Sequence, residues 1–167
     1  MSPIYCFSPI SDPGARVLIL GSMPGQASLD AQQYYAHPRN LFWRIFGALI
    51  GASLETPYES RIHLLKAHGI AVWDVLNSCV REGSLDSNIE SSSMAPNDFV
   101  DFYRGHPNIA RVFFNGGKAE EIYKRRVLPS LPNEFSVMQY HRLPSTSPAH
   151  ASLSFEEKLR LWRAVVA

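Results

Sequence analysis

Several stretches of this chain carry side chains whose type and spacing suit work on a planar, hydrogen-bonding ligand. The first is Gly21-Ser22-Met23-Pro24-Gly25. Two glycines and a proline force a tight turn that exposes backbone N–H groups. Neither a Walker-type phosphate loop nor a dinucleotide fingerprint is present there, so an ordinary strand-to-helix turn explains it equally well. The second runs Tyr34, Tyr35, His37, Pro38, Arg39, Asn40, Phe42 and Trp43. Aromatic rings so placed either cover the end of a sheet or stack on an extruded nucleobase. Asn40 taken alone is a good helix N-cap. The third is Asn115, at the end of an apolar run. Its amide offers a donor beside an acceptor, the complement of a lactam, and it is equally a turn former ahead of Gly116-Gly117. The fourth is the small, polar Pro144–His150 stretch.

Other chemistries find little support. His63 and His68 are five apart, which is not the spacing of two ligands on one helix face, and the remaining histidines are scattered. No metal and no cofactor are therefore expected. No nucleophile elbow of the Gly-x-Ser-x-Gly type occurs. Asp74 is a reserve candidate for a carboxylate base, against the plainer reading of a turn-capping or solvated acid. Lys124-Arg125-Arg126 reads as a solvated last helical turn favoured by the helix dipole rather than as a DNA patch.

The elements that must position these residues alternate. Arg16–Leu20, Ile70–Trp73, Arg111–Phe114 and Phe135–Tyr140 read as strands. Between them lie a helix from Leu41 to Ile50 and a second opened by Thr56-Pro57 with Glu59 completing a capping box. A third is opened by Pro96, a fourth contains Ala119, Ile122 and Tyr123, and a last one is capped by Ser154 and Glu157. Residues 21–40 and 74–95 read as irregular. Such alternation gives an α/β domain with a mostly parallel sheet. Ligands bind such sheets at the carboxyl ends of the strands, where the Gly21–Asn40, Asn115–Lys118 and Pro144–His150 loops converge.

The chain has 167 residues, which fits a single domain spanning 1–167. No apolar run approaches the ~20 residues of a membrane span, and MSPIYCFSPI is not a secretion signal. Two cysteines are too few for a disulfide scaffold, so a reducing cytoplasm is expected. A net charge of +1 is too small for a protein that coats nucleic acid, but not for an enzyme touching a few phosphates in one cleft.

Taken in order, the motifs resemble the uracil-DNA glycosylase superfamily over most of the chain. GSMPG at 21–25 resembles the first motif of the mismatch-specific uracil/thymine branch, YAHPRNLFW at 35–43 its next segment, FFNG at 113–116 a strand-end motif, and LPSTSP at 143–148 the DNA-clamping motif. Met23 stands where relatives in that branch carry a water-positioning Asn. GSMPG combined with HPRN-x-FW is instead similar to the hypoxanthine-DNA glycosylase family. Ser145 stands where many members place His or Asn, and His150 stands where the family commonly has Asn.

The resemblance implies a three-layer α/β/α sandwich around a four-stranded sheet, and hydrolysis of the N-glycosidic bond of a deaminated base. Hypoxanthine from deoxyinosine is favoured, with xanthine or uracil as secondary substrates. Asn40 is then the catalytic residue, holding water against C1′. Tyr35 stacks on the base. Gly21, Ser22, Met23, Pro24, Gly25, Asn115 and Ser145 contact it, with Ser22, Met23 and Asn115 reading the lactam edge. Ser147, Pro148, Ala149 and His150 contact DNA. The expected partner is double-stranded DNA with a damaged base, acted on by a monomer, with single-stranded DNA left open and no membrane. The alternatives are a mismatch-type uracil/thymine glycosylase, a catalytically silent damaged-DNA or nucleotide-binding module, and an enzyme acting on free nucleosides.

Overall fold

The computed structural model describes residues 2–167. In chain order the elements are β1 (Ile4–Tyr5), β2 (Val17–Gly21), α1 (Gln26–Ala31), α2 (Phe42–Ile50), α3 (Tyr58–Ala67), β3 (Ile70–Asp74), β4 (Leu76–Cys79), β5 (Ala95–Pro96), α4 (Phe99–Gly105), β6 (Arg111–Asn115), α5 (Gly117–Arg126), β7 (Gln139–Leu143) and α6 (Phe155–Trp162), with short 3-10 turns between several of them.

β3, β2, β6 and β7 form one sheet in that order, parallel throughout. Every residue of β2 and β3 is buried: β2 is a central parallel strand covered on both faces, and β3, at the sheet edge, is covered by the segment whose Ile10 bridges to Val72. Alternate side chains go to opposite layers. Leu18, Leu20, Val112 and Phe114 pack on one side with Phe102, Tyr103 and Tyr123, while Val17, Ile19 and Phe113 pack on the other with Phe42, Phe46 and Trp162. The result is the expected sandwich of helices on both faces. The chain runs from β2 outward to β3, then crosses back over β2 to β6. The sheet's topological switch therefore lies between β2 and β6, and the crevice at their carboxyl ends is where such sheets take ligands.

Four details differ from the sequence reading. The last strand is Gln139–Leu143, not Phe135–Tyr140. Asn133–Phe135 is a 3-10 turn after Pro132, and register with β6 pairs Arg111 with Gln139 and Asn115 with Leu143. The shift brings the Pro144 loop directly to the carboxyl edge. Residues 21–40 contain α1, and residues 74–95 contain β4, which forms a small antiparallel sheet with β1 and β5. Pro96 lies in β5, and the helix after it is capped by Asp98 (Oδ1 accepts from Asp101 N, 3.0 Å). No Thr56 capping box forms. The helix starts at Tyr58 after Pro57 without a side-chain cap, and Arg61 Nε donates to the Thr56 carbonyl. The Ser154/Glu157 capping box does form, and Lys124, Arg125 and Arg126 lie in the last turn of α5.

Candidate active site

A cavity of about 380 Å³ opens at the carboxyl ends of β2, β3 and β6, inside the usual range for small-molecule sites of about 300–1,000 Å³. All the site residues singled out in the sequence border it: the Gly21–Gly25 turn, Tyr35, Asn40, Asn115, Ser145 and the Ser147–His150 segment. Asp74 borders it too.

One wall is built from loops tied to one another. Asn115, the last residue of β6, donates through Nδ2 to Thr146 Oγ1 (3.0 Å) and accepts through Oδ1 from Thr146 N (2.9 Å). This two-way bond pins the 144–150 loop to the sheet. The amide that the sequence suggested for reading a lactam thus spends one donor and one acceptor on the protein. One N–H and one lone pair are left. Thr146 is 1% exposed, and its carbonyl accepts from Leu41 N (3.0 Å), which ties the same loop to the start of α2. The Lys158 ammonium, reaching in from α6, donates to the carbonyls of Ser145 (2.7 Å) and His150 (2.6 Å), closing the loop at both ends. Burial lowers its pKa. The Ser145 hydroxyl accepts from Ser147 N, and the Ser147 hydroxyl from Ala149 N, so the polar side chains of the loop shape its own turns. Gly116, at φ +95°, lets the loop close. A Cβ there would stand 3.1 Å from that of Ser145, in a backbone conformation that L residues rarely take.

Asn40 sits where this wall meets α2. Its Oδ1 accepts from Phe42 N (2.9 Å) in a turn just ahead of α2; the N-cap position itself is taken by Leu41, so the cap expected at Asn40 does not form, and the same carboxamide borders the cavity. The two roles are compatible. An amide oxygen has two lone pairs, and the bond from Phe42 N uses one while holding the side chain in place. The ring of Tyr35 stacks on Phe42 at 4.1 Å between centroids and 17° between planes. Tyr35 takes a left-handed backbone conformation, φ +57°, which is uncommon for an aromatic residue and concentrates at functional sites.

The opposite wall is different in kind. Asp74 closes β3 and is 3% exposed, and its Oδ2 has no hydrogen-bond partner. The buried Tyr35 hydroxyl and Arg81 Nη1 also lack partners. Gly21 makes this convergence possible, because a Cβ there would stand 2.6 Å from Asp74 Oδ1 and 3.0 Å from the Tyr35 hydroxyl. Burial first, then the negative charge of Asp86, pushes the Asp74 carboxyl up to about 7, and the Arg81 guanidinium acts against both. Burial also raises Asp86, opposed by the Ser22 hydroxyl, which donates to its Oδ1 (2.6 Å), and by Arg81 and Lys118. Burial and then Asp74 raise the Tyr35 hydroxyl, opposed by the nearby Asn115 amide, and it stays neutral. Arg81 donates to the carbonyls of Pro24 (2.8 Å) and Gly83 (2.7 Å), holding the first loop against the segment after β4. Met23 borders the cavity while packed into the core, 7% exposed.

Thr146, Lys158, Arg81, Asp86 and Ser84 were not singled out in the sequence. Thr146 lay inside a recognised motif, but nothing local marks it as the residue whose backbone and side chain are both used. Ser84, whose hydroxyl accepts from Gln26 N (2.9 Å) at the start of α1, belongs with Asp86 to a stretch that reads only as polar and irregular. Among the described residues, no group of three or more His, Cys, Asp or Glu side chains is arranged to hold a metal ion, and no helix is long and apolar enough to cross a membrane.

Known proteins resemble this chain over most of its length. A sequence model described as the "Uracil DNA glycosylase superfamily" matches residues 8–166. A protein of Methanosarcina barkeri (strain Fusaro) named "Hypoxanthine DNA glycosylase" is 40% identical over 116 residues, 69% of this chain and 72% of the relative. One of the same name from Methanosarcina acetivorans is 39% identical over 133 residues, 74% and 83% of the two chains. A solution NMR structure from Methanosarcina acetivorans, described as a candidate uracil DNA glycosylase, superposes with a TM-score of 0.78 at 32% identity, covering 99% of this chain and all of the other.

Proposed function

The chain belongs to the uracil DNA glycosylase superfamily, and within it we propose that this protein hydrolyses the N-glycosidic bond of a deaminated base in DNA, with hypoxanthine as the preferred leaving base. Relatives named for hypoxanthine support that choice of base. The observation that carries the mechanism is the carboxamide of Asn40, held on the cavity wall by the hydrogen bond it accepts from Phe42 N.

The nucleotide leaves the duplex and its base enters the cavity, at a cost of a few kcal/mol that falls beside a mispair. Tyr35, backed on one face by Phe42, offers its ring to the base. Backbone N–H groups around Ser22 and Met23, with the remaining N–H and lone pair of Asn115, meet the carbonyl and ring N–H of the lactam. Gly21, Pro24 and Gly25 shape the turn on that side, and Ser145 lies on the other. Ser147, Pro148, Ala149 and His150 face the duplex on a loop that Thr146 and Lys158 hold in shape. Asn40 fixes a water by its second oxygen lone pair. An amide takes up no proton near neutral pH, so its contribution is positioning and dipole stabilisation of the positive charge at C1′. Met23 cannot share that work, because a thioether accepts hydrogen bonds only weakly. The protein acts as a monomer in the cytoplasm on double-stranded DNA.

A panel of duplexes and single strands, each with one hypoxanthine, xanthine, uracil or mispaired thymine, tests the reading when scored for abasic sites. Abasic sites form fastest from deoxyinosine. Uracil or thymine released ahead of hypoxanthine would move the protein to the mismatch-type branch. Tight binding without any abasic product would make it a silent damage-binding module, the outcome that Met23 favours.

A further inference from the structure

We propose that Asp74 is the general acid of base release, delivering its carboxyl proton to N7 of the departing purine from the floor of the cavity. This rests on the hypoxanthine reading and deepens it.

The position comes first. Asp74 is the last residue of β3, so the rigid sheet fixes its backbone, and it borders the cavity with only 3% of its surface exposed. The absence of a side chain at Gly21 lets its carboxyl press against the end of β2. Its Oδ2 is buried and has no partner. A buried polar atom left unpaired costs about 1–3 kcal/mol, so such atoms in a native fold call for a functional account. Asp86, a half-buried carboxyl that also borders this cavity, is already engaged by Ser22. His37 and His150 border the cavity too, but both are partly exposed, and His37 Nδ1 accepts from Arg39 N.

The surroundings keep the proton on Asp74. Tyr34, Tyr35 and Cys6 lie near it as neutral groups, all three raised first by burial and also by the charge that Asp74 would carry. Asp86 brings negative charge, and Arg81, the cation in reach, gives its hydrogen bonds to Pro24 and Gly83 instead. Burial and Asp86 together push the carboxyl up to about 7 against the pull of Arg81. Two carboxyls whose surroundings treat them differently are the usual mark of an acid assignment.

The chemistry needs such a group. A purine departs far more readily when N7 is protonated, because the cationic ring draws in the electron pair of the C1′–N9 bond. In the step, the Asp74 O–H bond breaks and an N7–H bond forms. The C1′–N9 pair stays on N9, so hypoxanthine leaves neutral as its N7–H tautomer. The water at Asn40 adds its oxygen to C1′ and gives its proton to solvent, and Asp74 regains a proton from solvent before the next turnover. General acids of this kind contribute about 10²–10⁴-fold.

The test is single-turnover release from duplexes containing deoxyinosine or 7-deaza-deoxyinosine, which has no N7 acceptor, by wild type and Asp74→Asn between about pH 5.5 and 9. Wild type releases hypoxanthine at a level rate on the acid side and loses about tenfold per pH unit above the Asp74 transition. Asp74→Asn is slower by about 10²-fold or more and lacks that fall. The 7-deaza base slows wild type comparably but adds less than about threefold to the loss in the variant, because both changes remove the same interaction. Equal sensitivity of variant and wild type to the missing N7, or an alkaline fall that persists in Asp74→Asn, overturns the assignment. Wild type releasing the 7-deaza base as fast as hypoxanthine overturns it whether or not the variant folds. Failure of wild type to release hypoxanthine at all would instead refute the deoxyinosine reading itself.

Discussion

The two walls of the cavity spend their polar groups in opposite ways. On the side of Asn115, Thr146 and Lys158, donors and acceptors are paired with protein: amide to hydroxyl, backbone to amide, ammonium to two carbonyls. On the side of Asp74, Tyr35 and Arg81, three buried polar atoms have no partner. Buried polar groups are almost always satisfied, because desolvation without compensation costs more than a typical hydrogen bond returns. The paired wall is therefore scaffold, holding loops in the shape DNA will meet. The unpaired wall carries a cost in the free protein that a bound base can relieve. Asn40 belongs to both, since one lone pair is structural and the other is open.

That dual membership gives the largest expected effect. Asn40→Ser keeps a side-chain oxygen able to accept from Phe42 N two residues on, since Ser hydroxyls make the same local turn bond as Asn. It should fold with near wild-type stability yet lose about 10²–10³-fold in single-turnover base release, the usual loss for one preorganised dipole. Asn40→Ala should lose the same activity and, in addition, about 1 kcal/mol of stability by denaturant unfolding, the usual net worth of the one hydrogen bond it removes. A Ser variant as fast as wild type would assign Asn40 wholly to the scaffold.

The paired wall was the less legible of the two in the sequence. The α/β alternation, the buried strands, the Ser154 cap and the convergence of three loops followed from apolar runs, turn residues and capping spacing, all of which are local signals. Asn40 reads as a cap from its place ahead of Leu41-Phe42, but Leu41 takes that position and Asn40 bonds Phe42 N from one residue outside it, a one-residue difference that a capping pattern does not resolve. Thr146 and Lys158 were not legible, because their importance lies in partners at Asn115, Leu41, Ser145 and His150, at separations that no periodicity encodes. A lysine one turn into an amphipathic helix reads as solvated until the fold places a loop over it. The β7 register failed for a related reason. Val137 is 80% exposed, so an apolar residue there marked an edge turn rather than a strand. Asp74 stood out only as an acid after a strand, and what changes its chemistry is burial beside Asp86, which comes from a segment with no pattern of its own.

Lys158 separates scaffold from chemistry on the paired wall. In Lys158→Met the apolar stem is kept but the Ser145 and His150 carbonyls lose their shared donor, so the loop that faces the duplex loosens. Charge-assisted bonds are worth about 1.5–3 kcal/mol each, and relief from the desolvated ammonium offsets much of that. The net effect expected is about tenfold weaker binding to a lesion duplex, equivalent to about 1.4 kcal/mol. The release rate at saturating enzyme should change by less than about threefold. Titration of enzyme against duplex, with the plateau rate read separately, distinguishes the two. A fall in the plateau with unchanged affinity would place Lys158 among the groups that act on the reacting base.

The smallest effect sharpens the other wall, and it concerns stability alone. An unfolded aspartate titrates near 3.8, whereas Asp74 in the fold is pushed up to about 7. Between those values the folded chain binds more protons than the unfolded one. Stability contributed by this group is thus complete below the lower value and declines as pH rises through the upper one. Asparagine does not titrate, so Asp74→Asn removes the decline. Its melting temperature should exceed that of wild type by on the order of 5 °C at about pH 8, and the gap should shrink toward zero at about pH 4. The measurement needs only thermal melts of the two proteins across that window, with no DNA present. A gap independent of pH would mean that the carboxyl finds in solution a partner that stabilises its charge, and the contrast between the two walls would fail at its central residue.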